Sequence, residues 1–171
     1  MVTGLFRDRE SAESAYGSLT GRGYGQDDVN LMMSDKTRDT YFAGDKDKKD
    51  GATDLGDKAW EDAGKGAAIG GGVGATIAAL AAIGTTLALP GLGLLIAGPL
   101  AAGIAGAGAG GLTGGLIGAL VGHGIPEDRA KEYDEGVRNG GILMGVNARS
   151  DEDAEYFENQ FRTHRGEGVY R

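Results

Sequence analysis

A chain of 171 residues can hold one domain with a sizeable core, or a smaller domain with an appendage. Its 34 glycines far exceed the usual share of about 7%, it has no cysteine, and its net charge is −8. Disulfide scaffolds and thiolate metal sites are excluded, and neither flank offers the basic face that a nucleic acid partner requires.

The chain enters an apolar run at once, Val2 to Phe6, with no basic region ahead of it, so a cytoplasmic rather than a secreted protein is expected. Val2-Thr3-Gly4-Leu5-Phe6 reads as a strand. A helix is expected from about Ser11, because Ala12, Ala15 and Leu19 recur on one face, and Gly21, Gly23 and Gly25 stop it. Val29, Leu31 and Met33 alternate with Asn30, Met32 and Ser34, which predicts a strand with one face better buried. Residues 1–34 therefore form a first βαβ half.

Residues 35–65 read as a polar linker, most charged at Asp45-Lys46-Asp47-Lys48-Lys49-Asp50. A calcium loop fails there, because Lys49 and Asp50 stand where a third ligand and the bend glycine are needed.

From Gly66 through Gly122 no residue carries charge. Pro90, Gly91 and Gly93 break this run at a turn, Pro90-Gly91-Leu92-Gly93. As helices, arms 66–89 and 94–122 would be about 36 and about 43 Å long, against about 30 Å for a hydrocarbon core. Small residues recur every fourth position: Gly66, Gly70, Gly74, Ala78 and Ala82 in the first arm, and Gly98, Ala102, Gly106, Gly110, Gly114, Gly118 and Gly122 in the second. A parallel row runs through Gly103, Ala107, Gly111, Gly115 and Ala119. Such stripes favour close crossings of helix backbones.

Each glycine costs a helix interior up to ~1 kcal/mol relative to alanine, so these helices would need on the order of 10–20 kcal/mol from packing. Pro99 should kink the second arm or mark its start. A flexible linker would use serine where this run has Leu87, Leu89, Leu94, Leu95 and Ile96. The Gly70-Gly71-Gly72-Val73-Gly74-Ala75 stretch matches a dinucleotide fingerprint only by composition, without a leading strand or the following acidic residue.

Residues 125–171 read as helix, strand, helix and short strand. Pro126, Glu127 and Asp128 suit a helix start, with Ala130, Tyr133 and Val137 inward, and Gly140 and Gly141 end it. Ile142 to Ala148 is a strand. Ser150 or Asp151 caps a helix with Ala154, Phe157 and Phe161 inward, and Gly168-Val169-Tyr170 closes. A shift of 142 residues lays Ala12, Ala15 and Leu19 on Ala154, Phe157 and Phe161. Two such halves predict an α+β fold, a ferredoxin-like split βαβ sheet with a long inserted glycine-zipper α-helical hairpin at 66–124. On that reading the flanks alone, joined by a short turn, should fold.

The opening Val2-Thr3-Gly4-Leu5-Phe6 with Ala12 and Leu19, the small-residue hairpin centred on Leu89-Pro90-Gly91-Leu92-Gly93, Gly124-Ile125-Pro126-Glu127, and Tyr133 through Gly141-Ile142-Leu143 together resemble bacterial general stress or heat-induced stress proteins. The resemblance implies a stress-linked role without enzymatic chemistry, and it brings no catalytic residues.

The residues agree with that implication. His123 and His164 are far apart and read as surface or cap residues, and Asp27-Asp28 and Glu127-Asp128 as helix-start or loop acids. No nucleophile or Walker motif occurs. The expectation is a non-enzyme without cofactor, metal, nucleic acid or small-molecule substrate. It would self-associate through the hairpin, with a lipid bilayer as a second partner and the domains at the cytoplasmic side of the inner membrane. The alternatives are a soluble shell or filament burying the hairpins, and a ligand sensor built on the sheet.

Overall fold

The helices that begin at Arg9 and Asp151 each start where the sequence supplies a side-chain acceptor. The structure, a computed structural model, describes residues 1–41, 86–89, 93–101 and 115–171. Strand β1 (Val2–Phe6) leads to α1 (Arg9–Thr20), where the Asp8 carboxylate accepts from Ser11 N at 2.8 Å. Strand β2 (Val29–Ser34) runs directly into α2 (Asp35–Tyr41). After β3 (Thr86–Leu89) and β4 (Leu94–Ala97) come α3 (Gly115–Gly122) and α4 (Glu127–Arg138). Strand β5 (Ile142–Val146), α5 (Asp151–Thr163) and β6 (Glu167–Tyr170) complete the chain. In α5 the Ser150 hydroxyl accepts from Asp153 N at 3.1 Å, and Asp151, Glu152 and Asp153 crowd the dipole's positive end.

The strands form one six-stranded sheet in the order β3-β4-β2-β5-β1-β6, and every neighbouring pair is antiparallel. The class is α+β. The central register pairs Val2 with Val146 on one side of β5, and Val29 with Val146 on the other.

Both faces of the sheet are covered. One carries α1 and α5, with Ala12, Ala15, Leu19, Ala154, Phe157 and Phe161 packed on Phe6, Leu31, Met33 and Met144. All six positions aligned by the 142-residue shift thus meet the same core. The other face carries Leu100, Ala101, α3 and α4, with Leu116, Leu120, Tyr133 and Val137 packed on Leu5, Met32, Leu143, Leu94 and Ile96.

Four expectations change. Strand β2 is buried on both faces, not one: Met32 and Asn30 are 1% exposed, because α4 and the inserted segment close over them. The expected linker at 35–65 begins with helix α2, whose Thr37 is buried, and its Ser34 hydroxyl accepts from Thr37 N at 3.1 Å. Residues 42–65 lie outside the described residues.

The helical arms 66–89 and 94–122 are corrected at the ends nearest the turn. Residues 86–89 and 94–97 are strands paired with each other around Pro90–Gly93, so this part of the insert is a β-hairpin. The physical reason is the free edge of β2: β4 pairs with it from Leu31↔Ala97 to Ser34↔Leu94, satisfying backbone groups that a glycine-rich helix would hold only weakly. The fourth change concerns the second arm's continuity. Gly115 heads α3 at φ +57°, a left-handed conformation that an unbroken helix through 94–122 could not contain.

Candidate functional site

The insert's described parts meet the sheet at two places. At the first, Gly98 follows β4 at φ +100°, and a Cβ there would collide with the Val29 carbonyl oxygen. This glycine serves a close approach of backbone to strand and does not stand on a helical stripe. A helical segment begins at Pro99 and is described as far as Ala101. Its Leu100 N–H donates to the buried Asn30 Oδ1 at 2.8 Å, so a polar side chain on β2 caps the turn.

The second place is α3. Leu116, Ala119 and Leu120 face inward to the second core. Gly118, Val121 and Gly122 face outward. Val121 is 42% exposed, the one large hydrophobic so exposed among the described residues. A Cβ built on Gly118 or Gly122 would meet nothing within 4 Å. The helix therefore leaves an uncharged, small-residue surface without a described neighbour. His123 closes it, its Nδ1 lying 3.0 Å from the Ala119 carbonyl oxygen, and Ile125 N donates to Leu120 O at 3.1 Å.

Of the residues singled out for helix packing, Gly98, Gly115, Gly118 and Gly122 are thus placed, and only Gly118 and Gly122 share an outward helical face. Gly66, Gly70, Gly74, Gly103, Gly106, Gly110, Gly111 and Gly114, with Pro90 and Gly91 of the turn, lie outside the described residues. Gly93 sits at φ +60° and its carbonyl accepts from Asp35 N at 2.9 Å.

Two polar features escaped the sequence reading. The first joins the loop after α1 to the loop after β5. The buried Tyr24 hydroxyl donates to Asp153 Oδ2 at 2.6 Å and accepts from Arg149 N at 2.8 Å. Arg149 stacks on the Tyr24 ring, 4.2 Å from its centroid, and pairs with Asp28 at 2.6 Å. Arg22 pairs with Asp153 and stacks on Tyr156. The hydrogen bond from Arg149 holds the Asp28 carboxyl below its ordinary range, and burial pushes the Tyr24 phenol up. Asp28 is thus more than a loop acid. No local pattern foretold this, because its partners lie more than a hundred residues away.

The second is a shallow cleft of about 370 Å³ between α4 and strands β1 and β6. Its floor holds Tyr133, whose hydroxyl donates to Gly168 O at 2.6 Å and lies 2.9 Å from Thr3 Oγ1. Its guanidiniums are engaged: Arg7 with Glu167 at 2.8 Å, and Arg129 with Glu132 at 2.7 Å. Charge for an incoming anion is therefore already neutralised at its rim.

Among the described residues no group of His, Asp or Glu side chains is arranged to hold a metal, and no helix is long and apolar enough to cross a membrane. Comparison with known protein families, with curated proteins and with solved structures found no match.

Proposed function

We propose that this chain is a non-enzymatic assembly module, an α+β domain that self-associates through the small-residue surface of its insert. The carrying observation is the outward face of α3, where Gly118, Val121 and Gly122 stand uncharged and without a described neighbour. A second helix could approach there as closely as two backbones allow, gaining dispersion along the row. The order β6-β1-β5-β2 supports reading the flanks as a ferredoxin-like split βαβ unit, with β4 and β3 added at its β2 edge. The motifs that resemble bacterial stress proteins support a stress-linked role, exercised at the cytoplasmic face of the inner membrane.

The test uses the open space at those glycines. A Cβ at Gly118 or Gly122 meets no described atom within 4 Å, and leucine raises helix propensity, so the domain itself should keep its stability. Self-association demands that these positions stay small. The Gly118→Leu/Gly122→Leu chain should retain its thermal midpoint yet sediment as a smaller species than the native protein. An unchanged oligomer, or a native chain that is monomeric at all concentrations, overturns the reading.

A further inference from the structure

Four asparagines occur in the chain, Asn30, Asn139, Asn147 and Asn159, and of these Asn139 alone precedes a glycine. Its side chain is exposed where α4 ends, on the rim of the cleft, and among the described residues nothing is hydrogen-bonded to it. Gly140 has no side chain to shield its backbone nitrogen. The other three are followed by Leu31, Ala148 and Gln160. Asn30 is also buried and bonded to Leu100, and Asn159 lies within α5.

An unengaged side-chain amide beside an unshielded backbone nitrogen can close a ring. The Gly140 nitrogen bonds to Asn139 Cγ, the Cγ–Nδ2 bond breaks, and ammonia leaves with the proton that Gly140 gives up. Water then opens the five-membered imide at one of its two carbonyls. Opening at Cγ leaves aspartate. Opening at the main-chain carbonyl leaves isoaspartate, whose backbone runs through Cβ and Cγ and is one carbon longer. One water is consumed and one ammonia released, and nothing is oxidised or reduced.

The fold controls how often the ring can close. Asn139 ends α4 at ψ 14°, so the Gly140 nitrogen nearly eclipses the Asn139 nitrogen and stands away from the side chain. That torsion is fixed by Gly140 N donating to Val137 O at 3.1 Å and Gly141 N to Gly136 O at 2.9 Å. Gly140 completes the helix end at φ +94°. Rotation about the Asn139 Cα–C bond brings the nitrogen to Cγ and breaks both bonds, so the reaction waits for the last turn of α4 to open. Neither product suits the closed form. Aspartate adds negative charge at the negative end of the α4 dipole. Isoaspartate lengthens the link into β5, next to Gly141, where a Cβ would already lie 2.8 Å from the Gly136 carbonyl oxygen.

We propose that Asn139–Gly140 is a self-modification site. It converts to aspartate and isoaspartate, with water as co-reactant, from states in which the end of α4 has opened. The isoaspartate form then holds α4 against β5 less firmly than the native chain does. This inference is independent of self-assembly, which is read by sedimentation rather than by covalent change.

The full-length protein is incubated at mildly alkaline pH, digested with trypsin and read by mass spectrometry. Cleavage after Arg138 and Arg149 leaves Asn139 and Asn147 on one peptide, so fragment ions must assign the change between them. Asn139 should convert in the native protein while Asn30, Asn147 and Asn159 remain amides. The urea-unfolded chain should convert at Asn139 faster by about tenfold or more. Sub-denaturing urea should raise the native rate. Val137→Ala, which removes buried contact beside the helix end, should raise the native rate and leave the unfolded rate alone. Asn139→Gln cannot form the five-membered ring, and should keep its thermal midpoint through an incubation that lowers the midpoint of the native chain. An Asn139 that stays intact in the native protein while the unfolded chain converts overturns the site. A native rate equal to the unfolded rate, or indifferent to sub-denaturing urea, overturns the control by opening. A midpoint unmoved by complete conversion overturns the effect on α4 and β5.

Discussion

Asn30 and Leu100, seventy positions apart, are joined by a buried hydrogen bond of 2.8 Å from the Leu100 amide to the Asn30 side-chain oxygen. This bond ties the glycine-rich insert to the central part of the sheet at the point where β4 ends. Asn30→Ala removes the side-chain acceptor of that amide and leaves a buried donor, at a cost of about 1–3 kcal/mol. Urea unfolding should show a lower midpoint at unchanged slope. Gly98→Ala should destabilise as well, because its Cβ collides with the Val29 carbonyl oxygen. The two effects should fall short of additivity, since both loosen the same turn. Full additivity would mean that the turn and the strand are held independently.

Tyr133 bridges three elements through one hydroxyl, reaching Gly168 O on β6 and Thr3 Oγ1 on β1 from α4. Tyr133→Phe keeps the ring packed and removes only these bonds, for an expected loss of about 1–2 kcal/mol. Amide exchange should accelerate in β6 more than in β2. Uniform acceleration across the sheet would show that the hydroxyl acts on global stability and not on the β6 edge.

Shortening the chain to 1–34 joined by a turn to 140–171 tests how far the insert belongs to the domain. The apolar pattern of the flanks alone predicts a folded product. The structure predicts failure, because Leu94, Ile96, Leu116, Leu120, Tyr133 and Val137 are stripped from the second face. Each such side chain is worth ~1.5–3 kcal/mol, so together they match the whole of a usual net stability of about 5–15 kcal/mol. Calorimetry should find no cooperative transition. A sharp transition would show that the β1-β2-β5-β6 portion stands without its second layer.

The pH limits of stability follow from two kinds of group. Asp28 is held low by its hydrogen bond from Arg149, and Asp153 by those from Tyr24 and Arg22. Depressed carboxylates contribute stability above their unfolded value of about 3.9, and this is lost as pH falls through the lower folded value. Tyr16 is pushed up to about 12 by burial. A raised phenol contributes fully below its unfolded value of about 10 and loses that contribution as pH rises toward the folded value. Thermal midpoints should therefore fall at both extremes. Asp28→Asn should flatten the acid limb and Tyr16→Phe the alkaline limb; exchanged or absent effects would contradict the assignment.

The flanking strands and helices were legible in the sequence because each carries its own signal. Ser150 was legible as a cap, apolar residues recur at helical spacing in both flanks, and glycines mark the turns between short apolar runs, while the Asp8 cap emerged only in the structure. The glycine-rich run carries no such signal. Four consecutive apolar residues, Leu94 to Ala97, fit a buried strand and a buried helix equally well, and period alone cannot decide between them. At up to ~1 kcal/mol per glycine, local preference for helix is weak throughout that stretch, so an available partner decides. The partner was the free edge of β2, which the tertiary arrangement alone supplies. The same arrangement buried β2 on both faces, brought Tyr24 and Arg149 together, and turned Gly98 from one member of a periodic row into a contact with Val29. Sequence by itself determined the local elements that close their own hydrogen bonds. Tertiary structure decided those whose bonds close only on a distant segment.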